Sequence, residues 1–256
     1  PIEVKRKVGY LPEDVGFYED MTGIENLVYT AALNGIRRKE ARAKAERLLD
    51  RIGLVKEADK KAGKYSKGMR QRLGLADVLI KSPEVIILDE PTSYLDMGFK
   101  LDILANIRLL ARERNLAIVM SLHELDLAQK ISDTIACVKG DRIDRIGTPE
   151  EIFAGDYVQK LYGVAKENFD PLTGQVFFPK NAQAPKVFVI GGGGAGIPVY
   201  HCLQRQNIPF AAGILQENDV EFAAAKAMAV QLVWERAFYP IDEKKVWEAK
   251  KIMDSC

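Results

Sequence analysis

The stretch VIILDEPTSYLD, residues 85–96, runs from four consecutive apolar residues into two adjacent acids. Such a run suits a parallel strand buried on both faces, and α/β folds present their ligands at the carboxyl ends of such strands. Asp89 and Glu90 are adjacent, so their side chains diverge and can divide one task. Asp89 would hold Mg²⁺ through its water shell, and Glu90 would orient and deprotonate an attacking water, as nucleotide hydrolysis requires. The bland alternative is a strand end followed by an acidic turn. His123 stands just past a second apolar run, Leu116 to Ser121. An isolated histidine there is more often structural than functional.

Acids of this kind need a phosphate grip, G-x-x-x-x-G-K-[ST], whose backbone amides and lysine hold the phosphates. No segment of the 256 residues reads so. In GGGGAGIP, residues 191–198, Gly191 and Gly196 have the right separation, but Ile197 and Pro198 stand where Lys and Ser or Thr belong. Isoleucine brings no charge to a phosphate, and proline offers neither hydroxyl nor N–H. The chain as given is therefore expected to bind ATP poorly and to be inactive by itself. The same run does satisfy Gly191-x-Gly193-x-x-Gly196 between a strand and a helix, with Glu217 just past the next strand. That is the setting of a dinucleotide site with a ribose-binding acid. A tight glycine turn, with Asp219 capping the following helix, explains the pattern equally well.

The elements that must hold these residues are legible in outline. Residues 5–12 read as a strand. Thr22 and Glu25 form a capping box for a helix ending at Asn34-Gly35. Further helices are expected from Arg37 to Ile52, from Gly68 to Ile80 behind Ser66, and from Lys100 to Arg114. Residues 134–147 suggest a hairpin turning at Gly140-Asp141, and Thr148-Pro149-Glu150-Glu151 opens a helix. From Glu167 to Pro185 no period survives. Beyond it, strands at 187–190, 210–215 and 231–234 alternate with helices.

Composition limits the alternatives. A formal net charge of +1 gives no broad basic field, so nucleic acid is not expected as a partner. Three widely spaced cysteines, Cys137, Cys202 and Cys256, fit neither a disulfide framework nor a metal site and suit a reducing compartment. No apolar stretch reaches membrane-spanning length.

Four segments in order, GYLPED, YSKGM, VIILDEPTSYLD and SLHE, resemble the ATP-binding cassette (ABC) transporter ATPases over roughly residues 7–165. The resemblance implies a partial P-loop-type α/β domain, helical subdomain plus parallel sheet, over 1–165. A linker over 166–184 and a small Rossmann-like domain over 185–256 would follow. It implies ATP and Mg²⁺ as ligands, and a chain lacking the upstream phosphate loop. Glu13 falls where the family's Q-loop carries glutamine. Ser66 and Gly68 match the signature that holds the γ-phosphate of ATP bound to a second ATPase subunit, with Lys67 and Met69 departing from it. Asp96 matches the aspartate acting across that dimer, and His123 the switch histidine.

Membrane-spanning permease subunits would be the partners, placing the protein peripherally at the cytoplasmic face of the membrane. EPTSYLDMGFKLDI, SLHELDLAQKISD and the glycine-rich tail resemble importers of iron-siderophore, haem or cobalamin. GYLPEDVGFYEDMT and YSKGMRQRLGLADVLI resemble drug or lipid exporters. A soluble cassette ATPase, or a binding module whose tail senses a nucleotide, are the other classes open.

Overall fold

The structure is a computed structural model that describes residue 4 and residues 7–256. The first residues of the strand expected at 5–12 lie outside that range. Two compact units divide the chain, one ending at Ile131 and the other comprising Ser132–Cys256. Both are α/β.

In the first unit, β1 (Val8–Leu11), β2 (Val85–Leu88) and β3 (Ala117–Met120) form a parallel sheet in that order. The register aligns Leu11, Leu88 and Met120, so the segments starting at Pro12, Asp89 and Ser121 all leave the sheet at one end. Helices α1 (Gly23–Leu33), α2 (Arg38–Arg51), α3 (Lys67–Ile80), α4 (Met97–Arg114) and α5 (Leu125–Ile131) complete the unit. The Thr22–Glu25 capping box forms as expected. Helix α4 begins three residues before the expected Lys100, because the Asp96 side chain caps it by accepting from the Phe99 amide. Helix α5 was not expected; seven residues are too few to display a period.

Leu11, Ile86 and Leu88 are buried in one cluster with Leu73 and Leu79 of α3 and Ile107 and Leu110 of α4. The opposite sheet face differs from expectation. Tyr10, Ile87 and Val119 stand side by side in register and are 56%, 39% and 60% exposed. Strand side chains alternate between faces, and this unit's core lies on one face only, so β2 is not buried on both. Gly74 lets α3 lie close to the chain beyond β1. A Cβ there would stand 2.5 Å from Leu11 Cδ1 and 3.1 Å from Val15 Cγ2.

In the second unit, β4 (Ile135–Lys139) and β5 (Arg142–Gly147) make the expected antiparallel hairpin, turning at Gly140 with φ +65°. The Thr148–Glu151 capping box opens α6 (Pro149–Phe153), and α7 (Tyr157–Tyr162) follows. The aperiodic stretch 166–184 carries a short 3₁₀ turn, Lys166–Asn168, and a bridge between Phe169 and Val176. Phe169 stacks on Phe153, and Phe177 enters the core described next. Two isolated aromatics anchor this stretch, which is why no periodicity announces it.

That core belongs to a parallel sheet of β6 (Val187–Val189), β7 (Phe210–Gln216) and β8 (Gln231–Glu235), in that order. Helices α8 (Ile197–Arg205) and α9 (Phe222–Met228) connect the strands, and α10 (Glu243–Met253) closes the chain. Buried Tyr200 stacks on Phe210 with ring centroids 5.1 Å apart. Among the described residues, no helix is long and apolar enough to cross a membrane.

Candidate functional site

The carboxyl end of β2 delivers Asp89 and Glu90 into a turn closed by the Ser93 amide donating to the Glu90 carbonyl. Glu90 takes φ +46°, a left-handed conformation uncommon outside glycine. Ser121, at the end of β3, ties the two acids together. Its hydroxyl donates to Asp89 Oδ1 at 2.8 Å and accepts from the Glu90 amide at 2.9 Å. Both carboxylate oxygens of Glu90 are engaged: Oε1 meets His123 Nε2 at 2.5 Å, and Oε2 accepts from Ser93 Oγ at 2.7 Å. His123 is otherwise open, with its side chain 81% exposed. Next to it, Glu124 pairs with Lys100 and accepts from Thr92 Oγ1. The hydrogen bond from the Lys100 ammonium holds the Glu124 carboxyl below its ordinary range.

A second set of contacts surrounds Glu13. Tyr94 donates its hydroxyl to Glu13 Oε1 at 2.9 Å, and the Lys67 ammonium lies 3.1 Å from the Tyr94 ring centroid and 3.7 Å from Asp14 Oδ1. Ser66 caps α3, accepting from the Met69 amide at 3.2 Å. Gly68 faces Leu95 so closely that a Cβ would stand 3.0 Å from Leu95 Cδ2. Asp96 follows Leu95 directly and is engaged as the cap of α4. Asp89, Glu90 and His123 thus form one cluster, while Glu13, Ser66, Gly68 and Asp96 lie around the Lys67–Tyr94 contact. Sequence reasoning missed Ser93, Ser121 and Tyr94. Ser121, two residues before His123 at a strand end, was the most readable of them.

Residues 2–93 match the family model described as ABC transporter. The first unit is an ABC-transporter ATP-binding domain. An uncharacterized ABC transporter ATP-binding protein of Methanocaldococcus jannaschii, MJ0873, is 37% identical over 59% of this chain and 52% of its own length. The bacitracin transport ATP-binding protein BcrA of Bacillus licheniformis is 40% identical over 53% of this chain and 44% of its own. Among solved structures, CbiO1 from Clostridium perfringens, part of the ABC transporter complex CbiONQ, aligns with TM-score 0.55 and 25% identity. That alignment covers 62% of this chain and 64% of that one. The chain spans about half the length of these two curated relatives.

The acids of this ABC domain suit Mg²⁺ and ATP in part. Asp89 Oδ2 has no hydrogen bond from the described residues, leaving one carboxylate oxygen for the hydration shell of a cation. The phosphate grip is supplied by no segment of this sequence.

The glycine loop of the second unit is arranged otherwise. The Gly193 amide donates to Asp219 Oδ2 at 2.9 Å, and the Gly196 amide to Glu221 Oε2 at 2.6 Å. Gly191, at the mouth of β6, abuts Glu221 Oε1 and Tyr200 Oη. Glu217 is exposed, and its amide donates to the Glu235 carbonyl. Asp219 does not cap α9, whose flanking residue Glu221 makes no side-chain cap. Burial, and after it the charges of Glu221 and Asp219, push the Tyr200 phenol well up, so it remains a donor.

Proposed function

We propose that the ABC domain belongs to an ATP-hydrolysing transporter subunit in which Glu90 is the general base and Asp89 the magnesium-holding acid. The observation that carries this is the cluster of Asp89, Glu90 and His123 at the end of a parallel sheet, braced by Ser121. When bound, Mg-ATP supplies the phosphoryl group and the charge neutralisation of its transfer. Glu90 accepts the proton of the attacking water at a carboxylate oxygen, and Ser93 keeps that carboxylate turned toward the strand end. His123 contacts the γ-phosphate. Ser66 and Gly68, at the amino end of α3, offer backbone N–H groups and the positive end of a helix dipole to the nucleotide of a second subunit. Asp96 works across the same dimer interface. The segment at Glu13 meets membrane-spanning permease subunits, so the protein acts at the cytoplasmic face of the membrane.

For substrate, the EPTSYLDMGFKLDI and SLHELDLAQKISD segments favour an importer of iron-siderophore, haem or cobalamin type. GYLPEDVGFYEDMT and YSKGMRQRLGLADVLI favour the second reading, an exporter of drug or lipid type. A dinucleotide at Gly191, Gly193 and Gly196 gains no support, because Asp219 and Glu221 already hold the loop amides that would meet its pyrophosphate.

The test is steady-state ATP turnover by these residues joined to a segment bearing the lysine-ended phosphate loop, with and without Glu90→Gln. Loss of one general base is expected to lower kcat by about 10²- to 10⁴-fold. Turnover unchanged in the variant refutes the assignment.

A further inference from the structure

Tyr94 stands in the turn between Glu90 and Asp96 with φ +63°, in the left-handed region, where a bulky side chain is an outlier. Glu90, four residues earlier, is left-handed as well. Such a backbone persists where its surroundings over-determine it. Tyr94 is 60% exposed, so core packing does not supply that constraint.

The constraint comes from contacts at the hydroxyl and at the ring face. The hydroxyl donates to Glu13 Oε1 at 2.9 Å, a bond strengthened by the charge of the acceptor. The Lys67 ammonium lies over the ring, 3.1 Å from its centroid, where the negative face of the π-system attracts a cation. Asp14, 3.7 Å from the same ammonium, steadies it there. One residue on, Leu95 packs against Gly68. The segments at 13–14 and 66–68 and the turn at 90–96 therefore meet at one side chain. Glu13 and Lys67 are both positions where this chain departs from the ABC pattern, and both departures touch Tyr94.

We propose that Tyr94 is a positioning residue, a clamp that holds the turn carrying Glu90 and Asp96 against the segments of Glu13 and Lys67. It acts through the backbone on either side of it. The Ser93 amide donates to the Glu90 carbonyl at 3.0 Å, the Leu95 amide to the Thr92 carbonyl at 3.3 Å, and the Phe99 amide to the Asp96 carboxylate at 3.0 Å. The proposal rests on the roles given above to Glu90 and Asp96, but the clamp belongs to this chain and is tested without nucleotide.

Amide-resolved hydrogen exchange of the 256-residue chain is the test, with urea midpoints by circular dichroism alongside. Tyr94→Gly accepts the left-handed backbone and deletes both contacts. It is expected to speed exchange of the Ser93, Leu95 and Phe99 amides about tenfold and to leave the urea midpoint unchanged. Tyr94→Phe and Glu13→Ala should each speed these amides about threefold, and their combination no further, because both break one bond. In a catalytically complete protein, Tyr94→Gly should lower kcat about tenfold with little change in KM. Unchanged exchange at the three amides in Tyr94→Gly overturns the proposal. So does a lowered midpoint with faster exchange throughout α3 and α4, the mark of a merely structural residue. Additive effects of Tyr94→Phe and Glu13→Ala overturn it too, as does an unchanged kcat in Tyr94→Gly where Glu90→Gln abolishes turnover. Turnover unchanged in Glu90→Gln refutes the catalytic roles instead, and so is told apart from failure of the clamp.

Discussion

Gly74→Ala sets helix propensity against packing. Gly74 lies inside α3, and alanine there should gain about 1 kcal/mol from propensity alone. The structure opposes that gain. The added methyl would stand 2.5 Å from Leu11 Cδ1 and 3.1 and 3.2 Å from the two Val15 methyls. Leu11 is only 2% exposed and sits in the main cluster of the first unit, so it cannot swing into solvent. Overpacking of this kind costs about 1–3 kcal/mol, so the expected net effect is a destabilisation of about 1 kcal/mol. With a urea dependence of about 2 kcal/mol/M, the midpoint of the first unit falls by about 0.5 M. Far-UV circular dichroism should show that shift. Both tryptophans, Trp234 and Trp247, belong to the second unit, so fluorescence should stay put and serve as the internal control. Because Leu11 and Val15 flank Glu13, relaxation should also speed amide exchange across residues 11–15. A higher midpoint in the variant would refute the close approach of α3 to this segment.

Ser121→Ala removes both the donor to Asp89 and the acceptor for the Glu90 amide. The site is solvent-exposed, so a stability loss of about 1 kcal/mol is expected, read as a lower urea midpoint by circular dichroism. Turnover in a catalytically complete protein should fall through kcat. Lys100→Met removes the main cause of the lowered Glu124 pKa. A carboxyl held below its ordinary value of 4.5 stabilises the fold above that value and loses this effect as pH falls through the lower folded value. The midpoint difference between parent and variant should therefore be full at neutral pH and vanish under acid titration.

The acid pair, the helix caps and most strands were readable because each rests on a local rule. Thr22 with Glu25 and Thr148 with Glu151 name their own helix starts, and Val85–Leu88 names its strand by composition. What escaped was set by distant neighbours. The open face at Tyr10, Ile87 and Val119 depends on which sides of the sheet helices cover, and no window of sequence holds that information. Ser121 acts on residues more than thirty positions away, and its type alone is unremarkable on a strand end. The glycine loop matched a phosphate pattern because such patterns record backbone freedom. They do not record what fills the loop, and here Asp219 and Glu221 return from beyond β7 to do so.

The contact between Glu90 and His123 implies an order of events. A carboxylate has about four lone-pair sites, so the bonds from Ser93 and His123 leave room for a water on Glu90. His123 is held through its Nε2, which is placed against Glu90. On the function proposed above, a γ-phosphate that takes Nε2 would draw the histidine away from Glu90. Its exposure makes that movement cheap, whereas Ser93 is joined to Glu90 by both a side-chain bond and a backbone turn. The two partners should therefore separate in mutants of a catalytically complete protein. His123→Ala should remove the proposed phosphate contact and leave the carboxylate aimed, raising KM more than Ser93→Ala does. Ser93→Ala should loosen the aim of Glu90 and lower kcat with little change in KM. Identical kinetic signatures in the two variants would mean that the histidine serves only to hold Glu90, and that the exchange does not occur.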